Sequence, residues 1–215
     1  MLHSGSVSNY DTGVVYATPR VTSAIPIKSI EHLGREICEN VANAGQYVSI
    51  NVRINAAYLP RRSILLRSLQ AFSLPKTFTG TFLFIGSPEL KQLSAGYTPS
   101  FHFNVNNSAA SLQEIHSILT KKGKLVKQNP KPEEIVAKTV FSATFALQRP
   151  THVETYKKSK AFGSCVVYDN YYVPIVGIVT ELGASQFELG DWFKREVTAQ
   201  QHQSLSVGRL TKGAG

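Results

Sequence analysis

Six histidines (His3, His32, His102, His116, His152 and His202) and two cysteines (Cys38 and Cys165) are the side chains of this chain best suited to metal binding or nucleophilic attack. Their spacing argues against both roles. No His-x-x-x-His or Cys-x-x-Cys pair sets two ligands side by side, so no metal and no other cofactor is expected. Cys38 and Cys165 sit in apolar-periodic segments, where a thiol behaves as a small buried hydrophobe. Glu133 and Glu134 are adjacent carboxylates in a polar stretch, and such neighbours are ordinarily solvated charges. The sequence contains no Walker phosphate loop, no dinucleotide-binding glycine pattern and no Gly-x-Ser-x-Gly elbow. The chain is therefore not expected to be an enzyme. That reading would change if a concave pocket gathered His102 or Cys165 with a carboxylate.

Cations are what the chain has in excess. Lys and Arg number 23 against 14 Asp and Glu, a formal charge of +9 and a pI near 9.6, so polyanions are the expected partners. Lys121, Lys122, Lys124, Lys127 and Lys131 crowd into one stretch, with Leu125 and Val126 between them. An apolar pair flanked by lysines suits partial insertion at a charged interface, where each Lys adds about 1 kcal/mol near an anionic leaflet. The same group is equally suited to gripping a phosphate backbone or docking Leu125 and Val126 into a neighbouring subunit. Arg53, Arg61, Arg62 and Arg67 would extend the patch if the strand carrying Arg53 projects on the side of the helix expected after it. These eleven residues are the membrane- or polyanion-binding candidates.

The elements that must position them read as a mixed set. Residues 1–27 are rich in Ser, Thr, Gly and Pro without a sustained period, which predicts a flexible N-terminal arm. A helix is expected where Ile30, Leu33, Ile37 and Val41 share a face, with Ser29 as cap and Gly45 beyond its end. Val48, Ile50, Val52 and Ile54 alternate as in a half-buried strand. Pro60 opens a second helix with Leu65, Leu69 and Phe72 inward. Residues 80–86 predict a central strand and 101–105 its neighbour. A third helix is expected over 109–120, since Leu112, Ile115 and Leu119 share a face and Ser111 and Glu114 have capping-box spacing. Residues 121–134 are expected to form a mobile basic loop, because Pro130 and Pro132 interrupt any regular structure. Strands follow at 139–147, 164–168 and 171–179, the last two joined by a turn at Asp169-Asn170, and a short helix at 191–197. The strand-position phenylalanines are expected in the core. The fold class implied is α+β: one compact domain over 28–197, a mostly antiparallel sheet packed by two or three helices, with a frayed tail over 198–215. No apolar run is long enough to cross a bilayer, and the first residues lack the pattern of a secretion signal.

This order of elements, and above all the piece Phe82-Leu83-Phe84-Ile85-Gly86-Ser87-Pro88-Glu89-Leu90-Lys91, resembles matrix proteins of rhabdoviruses over roughly residues 47–147. The resemblance implies a structural protein of the virion, found beneath the envelope and on the cytoplasmic face of host membranes. Its implied partners are the anionic membrane surface, the viral nucleoprotein–RNA complex, other copies of itself and RNA directly. Its implied work is nucleocapsid condensation and budding, although the tail holds no Pro-Pro-x-Tyr motif. A nucleic-acid-binding coat or movement protein, using the same lysines and arginines on phosphates, is the second reading.

Overall fold

The computed structural model describes residues 2, 5–9, 11–17, 20–21, 25–32, 35–36, 41–52, 63–66, 73–169 and 172–187. Among the described residues of the first third there are eight short strands: β1 (Ser6–Ser8), β2 (Thr12–Ala17), β3 (Arg20–Val21), β4 (Ile25–His32), β5 (Arg35–Glu36), β6 (Val41–Asn43), β7 (Ser49–Val52) and β8 (Ile64–Leu66). All their pairings are antiparallel. β1 pairs with β6, while β3, β2, β4 and β5 form a path on which β7 joins β4 and β8 joins β2. Ile27, Ile30 and Ala42 are buried at the centre of this region, with Val7, Val48, Ile50 and Val52 packed on them.

From residue 77 the chain builds a closed barrel. Its strands are β9 (Thr77–Phe84), β10 (Ser100–Phe103), β11 (Asn106–Leu119), β13 (Thr139–Leu147), β14 (Ser164–Asp169) and β15 (Tyr172–Leu182). They pair antiparallel in the order β10-β14-β15-β9-β13-β11, and β11 returns to pair with β10. β12 (Leu125–Gln128) lies outside the ring as an extra strand on β11. Directly opposed residues trace a row from Leu119 through Val140, Leu83, Val176, Val166 and His102. The row comes back to β11 at Asn107, far from Leu119, which is the stagger that tilted strands need in order to close.

Strict alternation builds the wall. β9 and β13 bury every second residue, and Phe78, Phe82, Phe84, Phe101, Phe103, Phe141 and Phe145 are fully buried inside. Phe101 and Phe145 meet edge-to-face with centroids 4.7 Å apart, and Phe82 lies edge-on to Phe145 at 5.3 Å. Such pairs contribute roughly 0.5–1.5 kcal/mol each beyond the area they bury. Two inward glycines make room for Phe82. A Cβ at Gly177 would sit 2.4 Å from its ring, and one at Gly80 2.6 Å.

The fold is thus nearly all β, and the α+β expectation is corrected. Among the described residues the helical content is α1 (Lys160–Gly163), capped by Ser159, and a single 3-10 turn at Pro132–Glu134. The helix expected over 109–120 is the long strand β11. Its two bulges, at Gln113 and His116, each shift the phase by one residue. The core-facing positions Leu112, Ile115 and Ile118 therefore fall three apart and imitate a helical stripe. The first expected helix is replaced by β4, β5 and β6, and the described part of the second is β8. The N-terminal arm forms β1 to β4 where it is described. The helix expected at 191–197 and the tail 198–215 lie outside the described residues.

Candidate docking surface

Phenylalanine rings fill the barrel interior, which leaves the outer wall as the barrel's surface for contact. Cys165 and His102, either of which beside a carboxylate in a pocket would point to an enzyme, lie on opposite faces of the wall. Cys165 points into the core from β14, and burial pushes its thiol up to about 12, so it is an unreactive core side chain. His102, on the adjoining strand β10, stands opposite Val166 on the outer face, edge-on to the ring of Tyr168 at 4.7 Å. His152 is buried beside Phe162, its Nδ1 3.0 Å from the Ser73 carbonyl, and burial lowers its pKa.

One polar cluster has the outline of a nucleophilic relay. The β11 bulge turns His116 so that Nε2 lies 2.7 Å from Thr144 Oγ1, and Thr144 Oγ1 is also 2.7 Å from Thr79 Oγ1. Glu114 stands on the other side of the imidazole, 3.9 Å from Nδ1. That distance is too long for the hydrogen bond that would fix the tautomer. The cluster lies on the outer wall and ties β9, β13 and β11 together across the strands. Among the described residues no group of His, Cys, Asp and Glu could hold a metal ion, and no helix is long and apolar enough to cross a membrane.

The lysine stretch is more ordered than a loop. β11 and β12 form a hairpin with a turn at Lys121–Gly123, where Gly123 takes φ +77°, Gly123 N–H donates to Thr120 O, and Thr120 N–H donates to Lys124 O. Leu119 opposes Leu125 across the hairpin, and Ile118 opposes Lys127. Leu125 and Val126 are 55% and 61% exposed. Lys127 is held: its ammonium donates to Glu134, whose other carboxylate oxygen accepts the Lys131 amide at 2.9 Å. These bonds, the one from Lys127 first, lower the Glu134 pKa. Among the described residues Lys121, Lys122 and Lys124 have no ion-pair partner. The hairpin thus brings Lys121, Lys122, Lys124, Leu125, Val126 and Lys127 together, with Lys131 at its base. Arg53, Arg61, Arg62 and Arg67 lie outside the described residues. The sequence reading missed Lys91 and Lys138, which reach the same end of the barrel. Lys138 N–H donates to Phe84 O at 2.7 Å, and Gln92 bridges to Val136. Only the long-range pairing of β9 with β13 brings them there, and no local sequence pattern carries that information.

The barrel coincides with a family match. Residues 85–180 match the family described as GTP-eEF1A C-terminal domain-like. Elongation factor 1-alpha of the archaeon Methanocorpusculum labreanum is 29% identical over 161 residues, covering 74% of this chain and 37% of that protein. The fold is that of Sup35. Its complex with GDP superposes with a TM-score of 0.72 at 17% identity, covering 84% of this chain and 42% of that one, and its complex with GMPPNP gives 0.70 at 18%. The chain therefore spans about two fifths of the length of these proteins.

These findings correct the matrix-protein resemblance and what followed from it. Similarity to an elongation factor, on a closed barrel, supports neither a viral matrix protein nor a coat or movement protein. The partners drawn from that resemblance fall with it: anionic membrane, viral nucleoprotein–RNA complex, self-assembly beneath an envelope and direct RNA binding in a virion. So does the virion and host-membrane location. The expectation of a protein apart from catalysis is also narrowed, because the proteins it resembles include an elongation factor and a protein solved with GDP and GMPPNP.

Proposed function

We propose that this chain is the macromolecule-docking β portion of an elongation-factor-like protein of translation, working alongside guanine-nucleotide binding without supplying its catalytic residues. The observation that carries this reading is the closed six-stranded barrel, of which every strand but β9 falls within or overlaps residues 85–180, the stretch that matches the eEF1A C-terminal-domain family. A barrel with a filled interior is a rigid body that works through its surface. None of the described residues is assigned to the nucleotide.

The lysine hairpin is the proposed electrostatic contact of this body with the anionic surface of the translation machinery. Lys121, Lys122 and Lys124 supply exposed ammonium groups, and the clasped Lys127 fixes the hairpin that presents them. Arg53, Arg61, Arg62, Arg67 and Lys131 remain proposed contributors to the same polyanion contact. Co-sedimentation of the purified chain with ribosomes in sucrose gradients, at low and at physiological salt, tests this reading. The chain is expected to travel with ribosomes and to be released several-fold by changing Lys121, Lys122 and Lys124 to Glu. Absence of ribosome association at low salt would refute the docking role, and association unaffected by the substitutions would remove the hairpin from it.

A further inference from the structure

Four of the exposed large hydrophobic residues lie at one end of the barrel: Ile85 (46% exposed), Leu125 (55%), Val126 (61%) and Val136 (48%). Register explains why they gather. Leu125 opposes Leu119, Leu119 opposes Val140, and Val140 opposes Leu83, so four adjacent strands set aliphatic side chains in one row on the outer face. Ile85 continues β9 just past Leu83. Val136 reaches the same edge through its bridge to Gln92 and the bond from Lys138 to Phe84. Neighbouring strands lie about 4.8 Å apart, so the row spans roughly 14 Å, a length suited to two turns of helix or a short extended segment.

The rim of this patch is cationic. Lys91, Lys121, Lys122, Lys124 and Lys138 are exposed around it, and none has an ion-pair partner among the described residues. An aliphatic centre with a lysine rim complements a segment that carries carboxylates beside aliphatic side chains. Nucleic acid fits it less well, because the row contains no arginine to fork a phosphate and no aromatic ring on which a base would stack.

We infer that this end of the barrel, formed by Leu83, Ile85, Leu119, Leu125, Val136 and Val140 within a rim of lysines, is a docking site for an acidic, aliphatic segment of a partner protein. This goes beyond the ribosome contact and does not depend on it. Occupancy would bury the aliphatic row and neutralise the rim, so binding combines a salt-sensitive part with a salt-resistant one.

Selection of random twelve-residue peptides on the purified chain, followed by fluorescence anisotropy with the winning peptide, tests the inference. Enriched peptides are expected to carry Asp or Glu together with Leu, Ile or Val. Their affinity is expected to fall at least tenfold with Leu125→Ser plus Ile85→Ser, and at least tenfold with Lys121, Lys122 and Lys124 changed to Glu. These positions are exposed, and circular dichroism checks that each variant keeps the fold. Peptides without carboxylates would overturn the proposal, as would binding that ignores the serine substitutions. A twenty-nucleotide uridine RNA that displaces the peptide, and whose own binding ignores the serine substitutions, would reassign the patch to nucleic acid. The two contacts share Lys121, Lys122 and Lys124, so the serine variant distinguishes them: it is expected to abolish peptide binding and to leave ribosome association unchanged.

Discussion

Substituting Gly177 by Ala tests how the barrel wall is packed. Gly177 lies opposite Phe82 on the paired strands β15 and β9, and an added Cβ would stand 2.4 Å from Phe82 Cδ1 and 2.7 Å from Thr81 O. The ring has little freedom to retreat, since Phe82 is fully buried and packs against Phe101, Phe141 and Phe145. Overpacking of this kind costs about 1–3 kcal/mol. The backbone of Gly177 is not in the left-handed region, so Ala also narrows the unfolded ensemble and returns roughly 0.4–1 kcal/mol. The net expectation is a loss of between about 0 and 2.6 kcal/mol, the difference of those two ranges. In a Phe82→Leu background the ring contact is gone and only the carbonyl clash remains, so the same substitution should cost about 1 kcal/mol less. Urea denaturation of the four proteins of this cycle, read as free energies by linear extrapolation, measures the coupling. Additive losses would show that Phe82 does not occupy the space left by Gly177.

The Cys165 thiol, held up to about 12 by burial, should resist a thiol-specific disulfide reagent at pH 8 in the native protein and react fully in urea. Native reactivity would contradict its place in the wall. Glu134 has a folded pKa below its ordinary 4.5, so its clasp on Lys127 and Lys131 is fully present above that value and is lost as pH falls through the folded one. Amide exchange at Lys131, corrected for intrinsic rate, should therefore accelerate on acidification, and Glu134→Gln should remove most of the pH dependence. His152 is likewise depressed, by burial, so its contribution to stability is complete above the ordinary imidazole value of 6.5 and is lost on acidification through its lowered value. Its ring resonances should titrate with a midpoint below the ordinary imidazole value, and a midpoint at or above that value would contradict the burial.

Much of the barrel was legible because its strands obey period two. Phe82 and Phe84, Phe101 and Phe103, and Phe141, Ala143 and Phe145 announce their inward faces in the sequence, and β13 runs where the alternation predicts. β11 was misread because its bulges convert alternation into a three-residue spacing, and nothing local distinguishes that from a helix. The lysine hairpin was recognised as a cationic feature but not as a strand. Pro130 and Pro132 do end it, yet both lie beyond Gln128, so they could not prevent β12. The misleading viral resemblance rested on a turn. Gly86 takes φ +78°, Ser87 N–H donates to Leu90 O and Leu90 N–H donates to Ser87 Oγ, a local solution for leaving a strand that unrelated proteins can share. Closure of the ring depends on β10 meeting β14 and β9 meeting β15, pairings between segments far apart in sequence that no local period encodes.

Those two distant pairings also govern how the protein is made. While a ribosome has released only β9 to β13, both β9 and β10 carry an unpaired edge of amides and carbonyls beside a half-formed phenylalanine core, a surface prone to pairing with other chains. The hoop shuts only when Ser164–Asp169 and Tyr172–Leu182 emerge, so the last strands synthesised seal the first. A chain that stops short of residue 164 would be expected to lose its whole wall and to aggregate, whereas loss of β12 would leave the ring closed.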